Sequence, residues 1–128
     1  MSYQFSPELD HAKLDELYLG DPAIAREVFS AFITETSPTL PGLQAYFLAD
    51  EKDEFRRLIH KIKPGFLYVG LTDIFEKMSA VESRCDSIES LHSLEEEFNG
   101  IISLLGDKMP VVHNELEKLK LYSVSQPG

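Results

Sequence analysis

The stretch of sequence that decides the fold is KDEFRRLIHKIKPGFLYVG, residues 52–70. Its apolar residues recur at steps of three or four, the spacing that places one continuous stripe on one face of an α-helix. The stripe consists of Phe55, Leu58, Ile59, Ile62, Phe66 and Val69. Gly70 follows the last of them, and glycine commonly ends a helix. The sequence therefore predicts an amphipathic helix over residues 52–69.

The same helical geometry predicts that His60 faces solvent. At about 100° per residue, His60 projects about 140° away from the centre of the apolar stripe. Arg56 and Lys63 lie one turn away on either side, and Pro64 and Leu67 fall on the same outward side. A neutral imidazole is a nucleophile, and cations within reach suit the oxygens of a phosphoryl group. We therefore predict His60 as a phosphoryl acceptor, with Lys63 and Arg56 as phosphate-binding residues.

Start and stop signals predict helices along the rest of the chain. The first two predicted helices run from Ser6 and Pro7 to about Tyr18 and from Asp21 and Pro22 to about Thr36. Pro38, Pro41 and Gly42 predict an interruption, and a short helix follows from about Leu40 to Asp50. Two more helices are predicted from Thr72 to Cys85 and from Leu91 onward. The last helix keeps its apolar phase past Gly106 and Pro110, so we expect one long helix that is kinked near residues 106–110 and frayed only at 123–128.

These elements predict an all-α fold in one domain, residues 1–128. Helices with one apolar stripe each and short connections pack as a bundle. We expect an antiparallel four-helix bundle with an additional short N-terminal helix and a long, kinked C-terminal helix.

The composition of the chain argues against nucleic-acid-binding, membrane-spanning and secreted classes of protein. The chain has 128 residues, a formal net charge of −10 and 12 lysines and arginines, which argues against binding nucleic acid. It has no apolar run long enough to span a membrane, no signal-peptide pattern, and one cysteine, Cys85. We therefore expect a cytoplasmic protein, a monomer without membrane insertion. Four of the 12 basic residues fall within residues 56–63, around His60.

The run that begins at His60 has a further pattern. The histidine is followed by an apolar residue two positions later (Ile62) and a lysine three positions later (Lys63). A small residue comes next (Gly65), and a glycine lies ten positions after the histidine (Gly70). This pattern resembles the active helix of histidine-containing phosphotransfer (HPt) domains of two-component phosphorelays. The resemblance covers about residues 14–86 and is densest over 50–71. It implies a phosphohistidine carrier that shuttles a phosphoryl group between receiver-domain aspartates of response regulators or hybrid histidine kinases.

The resemblance also implies roles for other residues and for cofactors. Arg57, Pro64, Gly65 and Leu67 would contact the docked receiver. The chain would have no ATP-dependent kinase activity and no cofactor of its own, and Mg²⁺ would belong to the receiver partner. Pro64 departs from the pattern, because glycine is frequent at that position of the family. This departure puts the docking geometry in question more than the role of His60.

Two other classes of function stay open at the level of sequence. A helical interaction module without chemistry could use the same basic face to dock an acidic partner. A metal-binding helical bundle is the other alternative, because Glu8 and His11, and again Glu89 and His92, have the Glu-x-x-His spacing of di-iron bundles. Such a site needs further inward-facing glutamates, which the apolar stripes do not contain.

Overall fold

The fold of the described residues is all-helical, as the sequence predicts. The structure is a computed structural model that describes residues 3–125, with side chains from Tyr3 to Tyr122, and residues 126–128 of the segment expected to fray lie outside it. Within this range there is no β-strand. The α-helices are α1 (His11–Tyr18), α2 (Pro22–Ala31), α3 (Leu40–Leu48), α4 (Lys52–Tyr68), α5 (Thr72–Arg84) and α6 (Glu95–Ser125).

Helix α1 begins at His11, so the start predicted at Ser6 is wrong. The N-cap is Asp10, whose carboxylate accepts a hydrogen bond from the Lys13 amide at 3.2 Å. Tertiary contacts hold this cap, because Thr72 Oγ1 donates to Asp10 Oδ2 at 2.6 Å. The Ser6 amide instead donates to the buried carboxylate of Glu115 at 3.1 Å. The long-range partners therefore override the local start signal.

The interruption predicted between α2 and α3 is also wrong, because the chain stays helical from Pro22 to Leu48. A π-helical segment, Phe32–Thr36, and a 3₁₀ turn, Ser37–Thr39, connect the two helices. Pro38 and Pro41 each lie within the first two positions of a new helical segment. The first turn of a helix does not need their missing N–H groups, so the prolines change the winding without ending it.

Helix α4 matches its predicted bounds to within one residue, and the turn after it requires glycine. Gly70 has a φ of +79°, and a Cβ there would lie 2.9 Å from a Leu14 side-chain carbon. The Leu71 amide donates to the Phe66 carbonyl at 2.8 Å and the Gly70 amide to the Leu67 carbonyl at 3.2 Å, which is the Schellman pattern. This compact turn sends α5 back along α4.

The C-terminal segment is one continuous helix through Pro110, as predicted, although its α-helical part begins at Glu95. Leu91–Leu94, where the helix was predicted to start, forms a 3₁₀ turn. Within the described part of the chain, none of the helices combines the length and the apolar character that crossing a bilayer requires.

The core is aromatic where the helices meet. Helix α4 packs against α5 and α3, while α6 packs against α2 and α5. The rings of Phe47 and Phe98 stack with centroids 4.2 Å apart, and Phe55 meets Phe98 edge-on at 5.3 Å. The predicted stripe of α4 is buried at five of six positions, and Leu58 is partly buried. This packing fixes the rotation of α4 and leaves its opposite face toward solvent.

Candidate functional site

Helices α4 and α5 form an antiparallel hairpin that brings distant residues together in a regular way. His60 contacts Glu82, Lys63 contacts Ser79, and Arg56 contacts Asp86. The members of each pair lie equally far from Leu71 in sequence, on opposite sides of the turn. Polar side chains of α5 and of the 3₁₀ turn after it, Cys85–Ser87, therefore line the edge of the exposed face of α4.

His60 is exposed, as its helical angle predicts, and one of its ring nitrogens is held. Its side chain is 76% exposed, and Nδ1 lies 2.6 Å from Glu82 Oε2. The pKa of Glu82 is lowered: burial acts to raise it, but hydrogen bonds and charges of Lys63 and His60 outweigh burial. An ionised carboxylate has no proton to donate, so the contact places the proton on Nδ1. In the neutral ring, Nε2 then carries the lone pair.

Lys63 is held more tightly than a surface lysine. Its Nζ lies 2.5 Å from Glu82 Oε1 and 3.3 Å from Ser79 Oγ, and it sits over the Phe75 ring at 5.6 Å from the centroid. The Lys63 side chain is only 19% exposed. The two oxygens of Glu82 thus bridge Lys63 and His60, so the same carboxylate holds the cation and the imidazole.

Arg56 lies on the same flank of α4 in a looser ion pair. Its Nε is 3.7 Å from Asp86 Oδ1, and its side chain is 47% exposed. An exposed pair at this distance contributes little stability and exchanges readily with solvent. Of the two predicted phosphate-binding cations, Arg56 is therefore the freer to move.

The four predicted docking residues do not share one surface. Arg57 is exposed on the side of α4 that faces α3, and Pro64 and Leu67 are half-buried. Gly65 is turned away from His60, because a Cβ on it would lie 3.4 Å from the Phe32 ring in the π-helical segment. Gly65 thus lies where α4 packs against that segment, and its predicted contact with a partner would need an approach from that side.

Glu82 is the site residue that sequence reasoning missed. The helical angle of α4 predicts which residues surround His60 on its own helix, but it says nothing about the neighbouring helix. The available signal was the turn at Gly70, because counting equally far from Leu71 in both directions pairs His60 with Glu82.

The two Glu-x-x-His spacings do not converge. His11 and His92 are both exposed, and His92 Nδ1 instead lies 3.5 Å from Glu95. Among residues 3–122, no group of three or more histidine, cysteine, aspartate and glutamate side chains is placed to share a metal ion.

Comparisons of the chain with protein-family models, with curated proteins and with solved structures found no match. The function of the chain is therefore inferred from the geometry around His60.

Proposed function

We propose that this chain is a histidine phosphotransfer protein that carries a phosphoryl group on His60 between receiver-domain aspartates of a multistep phosphorelay. The observation that carries the proposal is the close contact between an exposed imidazole and a partly buried carboxylate. His60 is 76% exposed, and Glu82 Oε2 lies 2.6 Å from its Nδ1. A nucleophile held by a base or carboxylate at one atom and open at the other is the arrangement that covalent group transfer uses.

In the proposed reaction, the Nε2 lone pair of His60 attacks the phosphorus of an aspartyl phosphate on the receiver. The new N–P bond forms as the P–O bond to the aspartate breaks, and the aspartate carboxylate leaves with the bonding electron pair. The imidazole gains positive charge while Nδ1 keeps its proton. The Glu82 carboxylate, 2.6 Å away, stabilises that charge and holds the ring in line.

Cations neutralise the transferred group in this mechanism. Phosphoryl transfer depends mainly on positioning and on compensation of charge at the phosphoryl oxygens. Arg56 supplies one cation from a loose ion pair, and Lys63, which is held beside the imidazole by Glu82, supplies another. Both residues lie one helical turn from His60, on the flank that faces α5.

The proposal also covers the helix arrangement, the cellular location and the partner contacts of this carrier. The helices form an antiparallel four-helix bundle with α1 as an additional short helix, and α6 is kinked near residues 106–110. The chain acts as a cytoplasmic monomer, without ATP-dependent kinase activity, and Mg²⁺ belongs to the receiver. Arg57, Pro64 and Leu67 contact the receiver beside His60.

A transfer assay tests the proposal. Receiver domains from the same organism, each phosphorylated with labelled phosphate, are mixed with the full chain and with His60→Gln. We expect label on the chain that is labile in acid and stable in alkali, as a phosphoramidate is, and no label on His60→Gln.

His113→Gln is the matched control, because His113 is another exposed histidine on a helix. Label that survives His60→Gln, or no label from any cognate receiver, would favour the interaction module without chemistry. That alternative uses the same exposed face of α4, so binding alone does not distinguish the two.

A further inference from the structure

The four cations around His60 divide into two pairs with different surroundings. Arg56 and Lys63 face α5 and the 3₁₀ turn after it, Cys85–Ser87, where Asp86 and Glu82 offset their charge. Arg57 and Lys61 lie on the other flank, toward α3. The acidic side chains of α5 and of the turn after it therefore pair only with the first two cations.

Arg57 has an acidic partner only on its own helix, and Lys61 has none among the described side chains. Arg57 is 73% exposed, and its ion pair is with Glu54 on its own helix at 3.2 Å. Lys61 is exposed and makes no hydrogen bond or ion pair with the described side chains. The two cations outnumber Glu54, which lines the same groove, so this flank of α4 carries a local positive charge on a chain whose net charge is −10.

A groove lies directly beside these cations. It runs between α3 and α4, has a volume of about 360 Å³, and is lined by Thr39, Gly42, Tyr46, Glu54, Arg57, Leu58 and Lys61. Tyr46 and Leu58 are half-buried and pack against the core, so they form an apolar floor. The space beside Gly42 is open, because a Cβ there would meet no atom within 4 Å.

We propose that this groove is a docking site for an acidic segment of the receiver partner, with its carboxylates on Arg57 and Lys61 and an apolar side chain on the floor. The inference rests on the proposed function for the identity of the partner. Charge complementarity selects an acidic protein segment, and the net charge of −10 disfavours a nucleic acid. Lys61, which lines the groove, adjoins His60 in sequence, so a partner that extends from the groove across the exposed face of α4 reaches the phosphoryl acceptor.

Binding tests this proposal without relying on transfer. Purified, unphosphorylated receiver domain is titrated into the full ¹⁵N-labelled chain, and amide shifts and affinity are measured. We expect shifts at Thr39, Gly42 and Tyr46, and at least a tenfold loss of affinity in the double variant Arg57→Glu with Lys61→Glu. The matched control is Lys77→Glu with Lys120→Glu, which changes the net charge equally on the exposed surfaces of α5 and α6.

A larger side chain placed in the groove tests whether the partner needs the groove to be open. Gly42→Leu should weaken binding several-fold, whereas Gly106→Leu should not, although both glycines have open space at the Cβ position. Shifts confined to α5 and α6, or equal affinities for the groove and control variants, would overturn the docking proposal even if label still reaches His60. Binding in the groove without label on His60 would instead leave docking intact and contradict the proposed function.

Discussion

Glu82 Oε2 lies 2.6 Å from His60 Nδ1, across a helical hairpin that separates the two residues by 22 positions in sequence. Because the second oxygen of Glu82 binds Lys63, the carboxylate sets the orientation of both side chains. This relationship determines which nitrogen of His60 is available to a partner, and several predictions depend on it.

Replacing Glu82 by glutamine should loosen the choice of tautomer at His60. The amide can still accept a hydrogen bond, but it has no charge to hold the Nδ1 proton or to stabilise a positive ring. We expect ¹⁵N NMR to show a larger fraction of the other tautomer, and the transfer rate to fall about tenfold. Glu76→Gln, an exposed change on the same helix, is the control. Unchanged tautomer populations and rates in Glu82→Gln would remove Glu82 from the mechanism.

The stability contributed by Glu82 should depend on pH. Burial acts to raise the pKa of Glu82, but Lys63 and His60 lower it below its ordinary value of 4.5. A carboxyl whose folded pKa is depressed stabilises the fold fully above its unfolded pKa, and this contribution is lost as the pH falls through the folded pKa.

Urea unfolding of the wild type and of Glu82→Gln at several pH values measures this effect. The difference in free energy of unfolding should be largest near neutral pH and should shrink once the pH falls below 4.5. A difference that stays constant down to the acid limit would show that Glu82 is not ionised against its partners.

Removing the lysine partner should affect the phosphorylated form more than the fold. Lys63→Ala deletes an ion pair at the edge of the bundle, with Lys63 19% exposed, and we expect a loss of about 1–2 kcal/mol in unfolding free energy. Helical circular dichroism should be unchanged, while transfer slows or the phosphohistidine hydrolyses faster. Loss of helicity would mean that Lys63 is a structural residue first.

Ile62 should behave in the opposite way, because it belongs to the buried stripe. It is 4% exposed, and Ile62→Asp places an unpaired charge in the core. We expect a loss of at least about 3 kcal/mol, measured by thermal or urea unfolding. Lys61→Asp, at the exposed neighbouring position, should change stability by less than about 0.5 kcal/mol. Similar losses in both variants would contradict the orientation of α4.

The fold was predictable wherever a local signal and the packing agree. The stripe from Phe55 to Val69 and the glycine after it predicted α4, and the unbroken apolar phase past Pro110 predicted a single final helix. The start of α1 was not predictable in this way, since Asp10 is selected as its cap by Thr72, which lies 62 residues away in sequence. The continuous path from α2 to α3 was also missed, because prolines at the start of a helical segment give the same signal as a break.

The candidate site, like the fold, was predictable where it depends on one helix and not where it depends on packing between helices. One helix sufficed to predict that His60 is exposed and that Arg56 and Lys63 flank it. The partners of those residues come from α5 and the turn after it, and a helical angle measured on α4 carries no information about them. The ion pair between Lys63 and Glu82 and the contrasting surroundings of Lys61, which has no acidic partner among the described residues, could therefore be seen only in the packed hairpin.

NMR of the phosphorylated chain tests the central claim most directly. The full chain is phosphorylated by a receiver domain, and the coupling of ³¹P to the ring nitrogens identifies the modified atom. We predict that the phosphoryl group is on Nε2 of His60, since Glu82 holds Nδ1. A phosphoryl group on Nδ1, or on any residue other than His60, would contradict the account.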